Sequence, residues 1–282
     1  MKGGVSAQVT AIEIERPDGQ TKKFVVRRHG EVDLKQRPQV AADEFRLLHL
    51  LQSARLATPA PYYLGQSGEI FAKPYVVLEY IEGEPEFAPS RLNDFLLQLA
   101  THLSRIHSVD CSSLDFSFLP RQEERYIALL ERWTTTTSRS LSEDRILDAL
   151  KLVWPLSHQN QPVLLHGDFW PGNVLWKDGR LVGVIDWEDA ALGDPLADLA
   201  NSRLEMLWTF GIDAMHRFTQ HYQAMTTIDC TNLPYWDLCA ALRPASKFAG
   251  WALDEMTEKA MKEGHRLFTL QALEAISAPE KS

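Results

Sequence analysis

The stretch that most constrains this chain is Val174-Leu175-Trp176-Lys177-Asp178-Gly179-Arg180-Leu181-Val182-Gly183-Val184-Ile185, two apolar runs around an Asp-Gly pair. Asp-Gly is a two-residue hairpin turn, because its positive φ angles follow the twist of the flanking strands. The spacing predicts an antiparallel hairpin in which facing residues have numbers summing to about 357. Asn173 then lies within a residue or two of Asp186's row, so an amide oxygen and a carboxylate share the open end. Hard oxygen ligands of this kind suit a magnesium ion that also holds phosphates. Asp168 precedes Asn173 by only a tight loop. It overlooks that end without being forced to bind metal, and is free to act as a base.

From His166-Gly167-Asp168 to Asn173 the spacing is H-x-D-x-x-x-x-N. In kinase catalytic loops of that pattern the aspartate accepts the proton of the attacking hydroxyl and the asparagine holds metal. Gly167 stands where His-Arg-Asp has its arginine, and Asp186-Trp187-Glu188 stands where protein kinases have Asp-Phe-Gly. With Gly193-Asp194-Pro195 and Asp198 downstream, the stretch resembles the aminoglycoside phosphotransferase and choline kinase family, small-molecule kinases with a protein-kinase-like fold. The Ala-Pro-Glu that follows Asp186, at Ala278-Pro279-Glu280, lies far beyond activation-segment spacing, and the short interval to Asp194-Pro195 leaves no room for an activation loop, which disfavours a protein kinase. Lone aspartates after strands are often turn residues or helix caps, and Asp194 before Pro195 is an ordinary helix start. Asp194 and Asp198 are therefore expected to serve structure rather than chemistry.

The resemblance implies an α+β, two-lobed protein-kinase-like fold. Residues 1–81 would form a small N-terminal antiparallel-sheet lobe that binds nucleotide, and residues 82–282 a larger, mainly helical lobe for catalysis and the acceptor. A length of 282 residues agrees with two lobes.

At the N-terminus, Gly3-Gly4-Val5-Ser6 precedes a probable strand at Val9–Ile14, a turn at Pro17-Asp18-Gly19 and a second strand at Lys23–Arg28. The glycine pair matches neither the P-loop nor the dinucleotide fingerprint. By resemblance, Gly4 and Ser6 belong to the loop over the nucleotide phosphates. A first strand normally precedes that loop, and only Met1 and Lys2 remain here. The lobe is thus expected to lack that strand, or the assigned start to lie too far downstream. Arg27 takes the position of the phosphate-binding lysine or arginine, and Glu44, on a helix expected over Val40–Leu56, is implied as its partner. The strand Pro74–Ile81 leads to the hinge, where the Glu79 carbonyl and Ile81 amide would hold the base and Leu78 would line the pocket.

Beyond the hinge, Phe95, Leu96, Leu99, Leu103 and Ile106 lie on one face of a helix from Leu92 to His107. His107 reads as packed or capping rather than as a ligand. Residues 121–156 read as two helices around the polar run Thr134–Ser140, and three more helices are expected over Leu196–Met225, Tyr235–Leu253 and Asp254–Ile276.

Cys111, Cys230 and Cys239 form no C-x-x-C pair and are expected to be reduced and buried. No apolar run approaches the about 20 residues needed to span a bilayer, and the N-terminus lacks a signal-peptide core, so the protein is expected in the cytoplasm without a membrane partner. A net charge of −9 without a Lys/Arg cluster argues against nucleic acid.

By resemblance the chain is a phosphotransferase using Mg2+ and ATP or GTP. Asp168 is its base, Asn173 and Asp186 are its metal ligands, and His166 braces the loop. The acceptor is a small-molecule hydroxyl, with aminoglycoside-like compounds, amino alcohols and other metabolites all open. Glu188, Asp189, Asp194 and Asp198 could hold ammonium groups, and Trp208, Trp236 and Trp251 could cage a quaternary amine, although tryptophans at helical spacing are more often core. A nucleotide-binding pseudokinase and a metal-dependent phosphate hydrolase remain alternatives. The oligomeric state is not readable.

Overall fold

Alternating residues on either side of Pro17-Asp18-Gly19 fold back into a hairpin of β1 (Ala7–Glu15) and β2 (Thr21–His29). A computed structural model describes residues 7–15, 17–134, 143–157, 159–244 and 254–277. β3 (Pro61–Gly65) and β4 (Tyr75–Glu79) complete an antiparallel sheet in the order β1-β2-β4-β3. β2 is therefore flanked on both sides, and Val26, Arg27 and His29 are all buried. Placing two cationic residue types inside a sheet requires buried acceptors.

Two helices follow β2. The polar stretch before Pro38 contains a short helix α1 (Glu31–Gln36), with Glu31 and Asp33 in its first turn and Lys35 in its last, as the helix dipole favours. α2 (Val40–Ser53) buries Glu44, Leu47, Leu48 and Leu51. It stops three residues short of the expected Leu56. Arg55 takes a left-handed φ of 59°, while the Arg55 and Leu56 N–H groups donate to the Gln52 and Leu51 carbonyls, which closes the helix end.

The remaining strands are β5 (Val163–Leu165), β6 (Val174–Lys177), β7 (Arg180–Val184) and β8 (Ala191–Gly193). β6 and β7 form the expected hairpin, from Val174 opposite Val184 to Lys177 opposite Arg180, with one irregularity after Leu175. Gly179 in its turn adopts φ 72°. β5 pairs antiparallel with β8.

The chain divides into two compact units. The first comprises Met1–Glu86, Ser112–Phe118 and Gly172–Glu188, so it holds the four-stranded sheet and the β6–β7 hairpin. Within it the hairpin is fastened by the Val184 N–H to the Ala57 carbonyl and by reciprocal backbone bonds between Glu84 and Trp176.

The second unit comprises Phe87–Cys111, Leu119–Pro171 and Asp189–Ser282. It holds the β5–β8 pair and the helices α3 (Leu92–His107), α4 (Gln122–Thr134), α5 (Glu143–Lys151), α6 (Pro195–Phe210), α7 (Ile212–Met225), α8 (Leu233–Leu242) and α9 (Glu255–Ser277). The apolar face foreseen on α3 is buried along its length. Where three C-terminal helices were expected, four are found among the described residues. Apolar periodicity continues through residues 196–225, yet Gly211 at φ 88° breaks the run into α6 and α7. The end of the second expected helix, residues 245–253, and most of the polar run at 134–140 lie outside the described residues.

The fold is thus α+β, with an antiparallel sheet in the N-terminal part and helices in the C-terminal part. Cys239 is buried as expected, whereas Cys111 and Cys230 are partly exposed; all three are free. Among the described residues, no helix is long and apolar enough to cross a membrane.

Candidate active site

Arg27 is the centre of a charged cluster inside the first unit. Its Nε lies 3.4 Å from Glu44 Oε2, and its Nη2 donates to Asp186 Oδ1 at 2.7 Å and to Glu188 Oε2. Burial alone would lower the Arg27 pKa, but the carboxylates of Glu44, Asp186 and Glu188 outweigh it and raise it. Burial would likewise raise Glu44, yet Arg27 first and then His29 hold it below the usual carboxylate range. His29 was not singled out in the sequence. It sits two residues after Arg27 on the same face of β2, with Nε2 2.9 Å from Glu44 Oε2. Arg37, also missed, donates to the Glu188 carbonyl at 2.7 Å.

The hairpin presents the two proposed metal ligands. Ile185 N–H donates to the Asn173 carbonyl at 2.9 Å, so Asn173 and Asp186 flank the same open end, Asn173 one residue and Asp186 two beyond the last paired row, Val174 opposite Val184. Asn173 is buried. Asp186 adopts φ 67°, a left-handed conformation uncommon for a residue with a side chain and concentrated at functional positions. Asp186 Oδ1 and Glu188 Oε2 converge on one guanidinium nitrogen, so two carboxylate oxygens already face a common cationic point. Together with the Asn173 amide this is an all-oxygen donor set, suited to a magnesium ion that keeps phosphate and water ligands. Among the described residues, no group of three or more His, Cys, Asp and Glu forms an all-protein metal cage.

The hinge residues fall on and after β4. Leu78 is buried, the Glu79 carboxylate accepts from the Ala60 N–H at 3.1 Å, and Ile81 lies against Gly183, where any Cβ would meet its side chain. Gly4 and Ser6 lie outside the described residues.

Asp168 belongs to the second unit and follows β5. The turn that carries it is held by Asp198 on α6, whose Oδ2 and Oδ1 accept the backbone N–H groups of His166 and Gly167 at 2.6 and 2.9 Å. Asp198 is buried, and burial alone would raise it. The His107 contact at 3.3 Å, the nearby His166 and the Gly167 N–H bond instead lower its pKa. His107 in turn contacts the Tyr222 hydroxyl at 2.6 Å, a packed histidine as read from the sequence. Gly167 has φ 82°, and a Cβ there would overlap the Asp189 carbonyl, which explains glycine in place of the kinase arginine. The Asp168 N–H donates to His166 Nδ1 at 3.2 Å, giving His166 the bracing position.

Two long-range neighbours of Asp168 had no sequence signal. Arg243, just after α8, places Nη2 3.3 Å from Asp168 Oδ1. Glu205 on α6 is electrostatically coupled to Asp168; burial first, and then the Asp168 charge, push it up to about 8.

Of the groups suggested for a cationic acceptor, those among the described residues have partners within their own units. Glu188 pairs with Arg27 in the first unit. Asp189 lies beside Arg125, which donates to its carbonyl at 2.7 Å. Asp194 caps α6 by accepting from the Leu196 N–H, and Asp198 is the buried brace, so both serve structure as expected. Trp236 is buried edge-on against Tyr126 and Trp154. The Trp208 indole donates to the Met261 carbonyl, and Trp251 lies outside the described residues.

Comparison with known proteins agrees with this arrangement. The profile of the "Phosphotransferase enzyme family" matches residues 2–238. The chain is 30% identical over 175 residues to acyl-CoA dehydrogenase family member 10 of Mus musculus, covering 57% of this chain and 16% of that protein. It is 24% identical over 216 residues to probable acyl-CoA dehydrogenase IBR3 of Arabidopsis thaliana, covering 69% of this chain and 26% of that protein. The chain therefore spans less than a third of the length of these relatives. Protein LicA of Haemophilus influenzae is 32% identical over 127 residues, covering 43% of this chain and 46% of LicA.

Among solved structures, a thermostable variant of the aminoglycoside phosphotransferase APH(4)-Ia, in ternary complex with AMP-PNP and hygromycin B, superposes with a TM-score of 0.70. Its identity is 18%, and the match covers 99% of this chain and 93% of that one. The GDP and kanamycin complex of APH(2")-IIIa gives 0.61 at 19% identity, over 96% and 95% of the two chains. At such identities the superpositions establish the fold, while the profile match over most of the sequence establishes the relationship: this chain belongs to the phosphotransferase enzyme family.

Proposed function

We propose that the protein transfers the γ-phosphoryl group of ATP or GTP to a hydroxyl of a small molecule. The observation that carries this reading is the convergence of Asp186 and Glu188 on Arg27, at a hairpin end shared with Asn173. A charge-neutralising phosphate site needs this donor and acceptor set. Residues 1–81 act as the nucleotide lobe and 82–282 as the lobe for catalysis and acceptor. Arg27, oriented by Glu44, takes phosphate oxygens, Gly4 and Ser6 lie in the loop over them, and the Glu79 carbonyl and Ile81 amide hold the base. Asn173 and Asp186 hold magnesium, which when bound would neutralise phosphate charge.

Asp168 receives the proton of the acceptor hydroxyl. The acceptor oxygen bonds to the γ-phosphorus as the bond from that phosphorus to the β–γ bridging oxygen breaks, and a nucleoside diphosphate leaves. No phospho-enzyme forms. The rate comes from alignment and from charge placed in advance, the work of the Asp198-braced turn and the Arg27 cluster. Hygromycin B and kanamycin, bound in two of the structural neighbours, are hydroxyl-rich small molecules, and they support a hydroxyl acceptor. Dehydrogenation is not proposed from the longer relatives' names, because the chain matches only a fraction of each.

Nucleotide consumption with magnesium and ATP or GTP, followed by mass spectrometry of an acceptor panel, tests the reaction. Asp168→Asn is expected to bind nucleotide normally and to lose about 10²–10⁴-fold in transfer rate. Near-normal turnover of this variant would remove Asp168 as the base, and free phosphate without a phosphorylated acceptor would point to hydrolysis.

A further inference from the structure

The guanidinium beside Asp168 has more hydrogen-bonding capacity than the fold uses. Among the described residues, Arg243 makes one side-chain hydrogen bond, Nη2 to Asp168 Oδ1 at 3.3 Å, although guanidinium carries five N–H donors in a planar fork. Its side chain is 26% exposed and that of Asp168 36%, so the pair faces accessible space rather than closed core. Arg203, in the interior of the same unit, uses all three of its guanidinium nitrogens, on both oxygens of Asp237 and on Thr219. Arg243 keeps its fork at the surface, beside the atom that takes the acceptor's proton.

The carboxylates nearby are already accounted for. Asp168 has Arg243. Asp189 Oδ1 lies 3.9 Å from Arg125 Nη1. Glu205, pushed up to about 8 mainly by burial, carries its proton at neutral pH. An ammonium group arriving here would meet Arg243 without an uncommitted carboxylate to offset it. A carboxylate or phosphate would meet a fork shaped for bidentate capture.

We propose that Arg243 is the docking point for an acidic group on the acceptor, so that the hydroxyl phosphorylated at Asp168 belongs to a hydroxy acid or a phosphorylated alcohol. This rests on the kinase reading and narrows its substrate class. The acid anchors on the outward side of the fork while Nη2 keeps Asp168 oriented. The hydroxyl then reaches the base from an anchor on the same guanidinium.

The test uses the full chain with magnesium and ATP or GTP. Its acceptor arms are a graded series of hydroxy carboxylates, glycerol phosphate, neutral diols, and amino alcohols with aminoglycosides. Nucleotide affinity is measured separately by calorimetry, and acid binding to the nucleotide-loaded protein by saturation-transfer NMR. Turnover is expected in a carboxylate or the phosphate arm, and which of the two identifies the acid. Arg243→Gln should raise the KM for that acid roughly ten- to a hundredfold, with nucleotide affinity unchanged. Arg243→Lys, which keeps the charge but not the fork, should fall between, and it serves as the second variant if Arg243→Gln unfolds. A merely structural Arg243 would instead lower kcat or stability without selecting against acids. Turnover confined to amines or neutral alcohols, an unchanged KM in both variants, or no acid signal by NMR on protein that binds nucleotide would each overturn the proposal and leave the kinase reading standing. Failure to bind either nucleotide would remove both.

Discussion

Two arginines, Arg27 and Arg243, each sit on an aspartate that the sequence singles out, and they do so in opposite ways. Arg27 is fixed inside the sheet of the first unit, 9% exposed in its side chain, with Glu44, Asp186 and Glu188 around it. Arg243 in the second unit is partly exposed and, among the described residues, has one hydrogen-bonded side-chain partner, Asp168. A buried guanidinium with several carboxylates belongs to the fold, since removing any member strands the others. A half-exposed one with a single long bond is free to change partners. The comparison separates charge that builds a site from charge that reads a ligand, and each prediction below either widens or closes that gap.

The largest effect is expected at Arg27. Arg27→Met removes the guanidinium that Glu44, 4% exposed, Asp186 and Glu188 share, and leaves Glu44 to the His29 contact at 2.9 Å. An uncompensated buried charge costs about 3–5 kcal/mol, to be read as a fall in the urea midpoint. The double variant Arg27→Met with Glu44→Leu should regain part of that loss, because an apolar pair can replace a buried ion pair where a lone charge cannot. A single variant as stable as the native protein would show that Arg27 is no more built in than Arg243.

Next comes Asp198, the second unit's own buried carboxylate. Asp198→Asn keeps one acceptor oxygen but turns an amide donor toward a turn that offers the His166 and Gly167 N–H groups. About 2–3 kcal/mol should be lost, and the Asp168 turn should loosen, with faster amide exchange at Gly167. The pH dependence has a definite sign. Asp198 and Glu44 both have folded pKa values below their ordinary ones. Their contributions are therefore fully present above the unfolded carboxylate range and are lost as pH falls through the depressed folded values. Asp198→Asn should flatten the acid limb of a stability profile, while neutral and alkaline slopes stay the same.

How much of this was legible depended on distance along the chain. The β6–β7 hairpin could be read to within a residue because Asp178-Gly179 and the apolar runs beside it are local signals, and that register carried Asn173 and Asp186 to one end. Helix α3 declared itself through its apolar face. The break at Gly211 was hidden because periodicity runs on through Leu207, Ala214 and Phe218, and a single glycine does not announce a positive φ. His29 had a faint signal in sharing a strand face with Arg27. Arg243 had none: 75 residues separate it from Asp168, and only the packing of α8 against α6 brings it near. Proximity in sequence after Asp186 likewise says nothing about which unit a carboxylate pairs within: Glu188 meets Arg27 in the first, and Asp198 holds the Asp168 turn in the second.

The smallest stability effect is expected at Arg243, and it is the most informative for the comparison. Its pair with Asp168 is 26% and 36% exposed at 3.3 Å, so solvent screens it, and exposed ion pairs contribute about 0.2–1 kcal/mol. Arg243→Gln should therefore move the urea midpoint much less than Arg27→Met does. Burial by itself would lower the Arg243 pKa, but Asp168, Tyr126, Asp189 and Glu205 raise it, so the residue stays charged throughout the range in which the protein can be assayed. Its loss should consequently produce a nearly pH-independent shift in stability from pH 6 up to about 8, while the range above that tests Glu205. With Glu205 raised to about 8, the native protein should lose stability as pH rises from the unfolded carboxylate range to that value and level off above it, whereas Arg243→Gln, in which Asp168 faces Glu205 without the guanidinium, should hold that proton to higher pH and go on losing stability. Parallel profiles for native protein and variant up to pH 9 would mean that Arg243 does not hold these two carboxylates together, and that its charge is directed wholly outward.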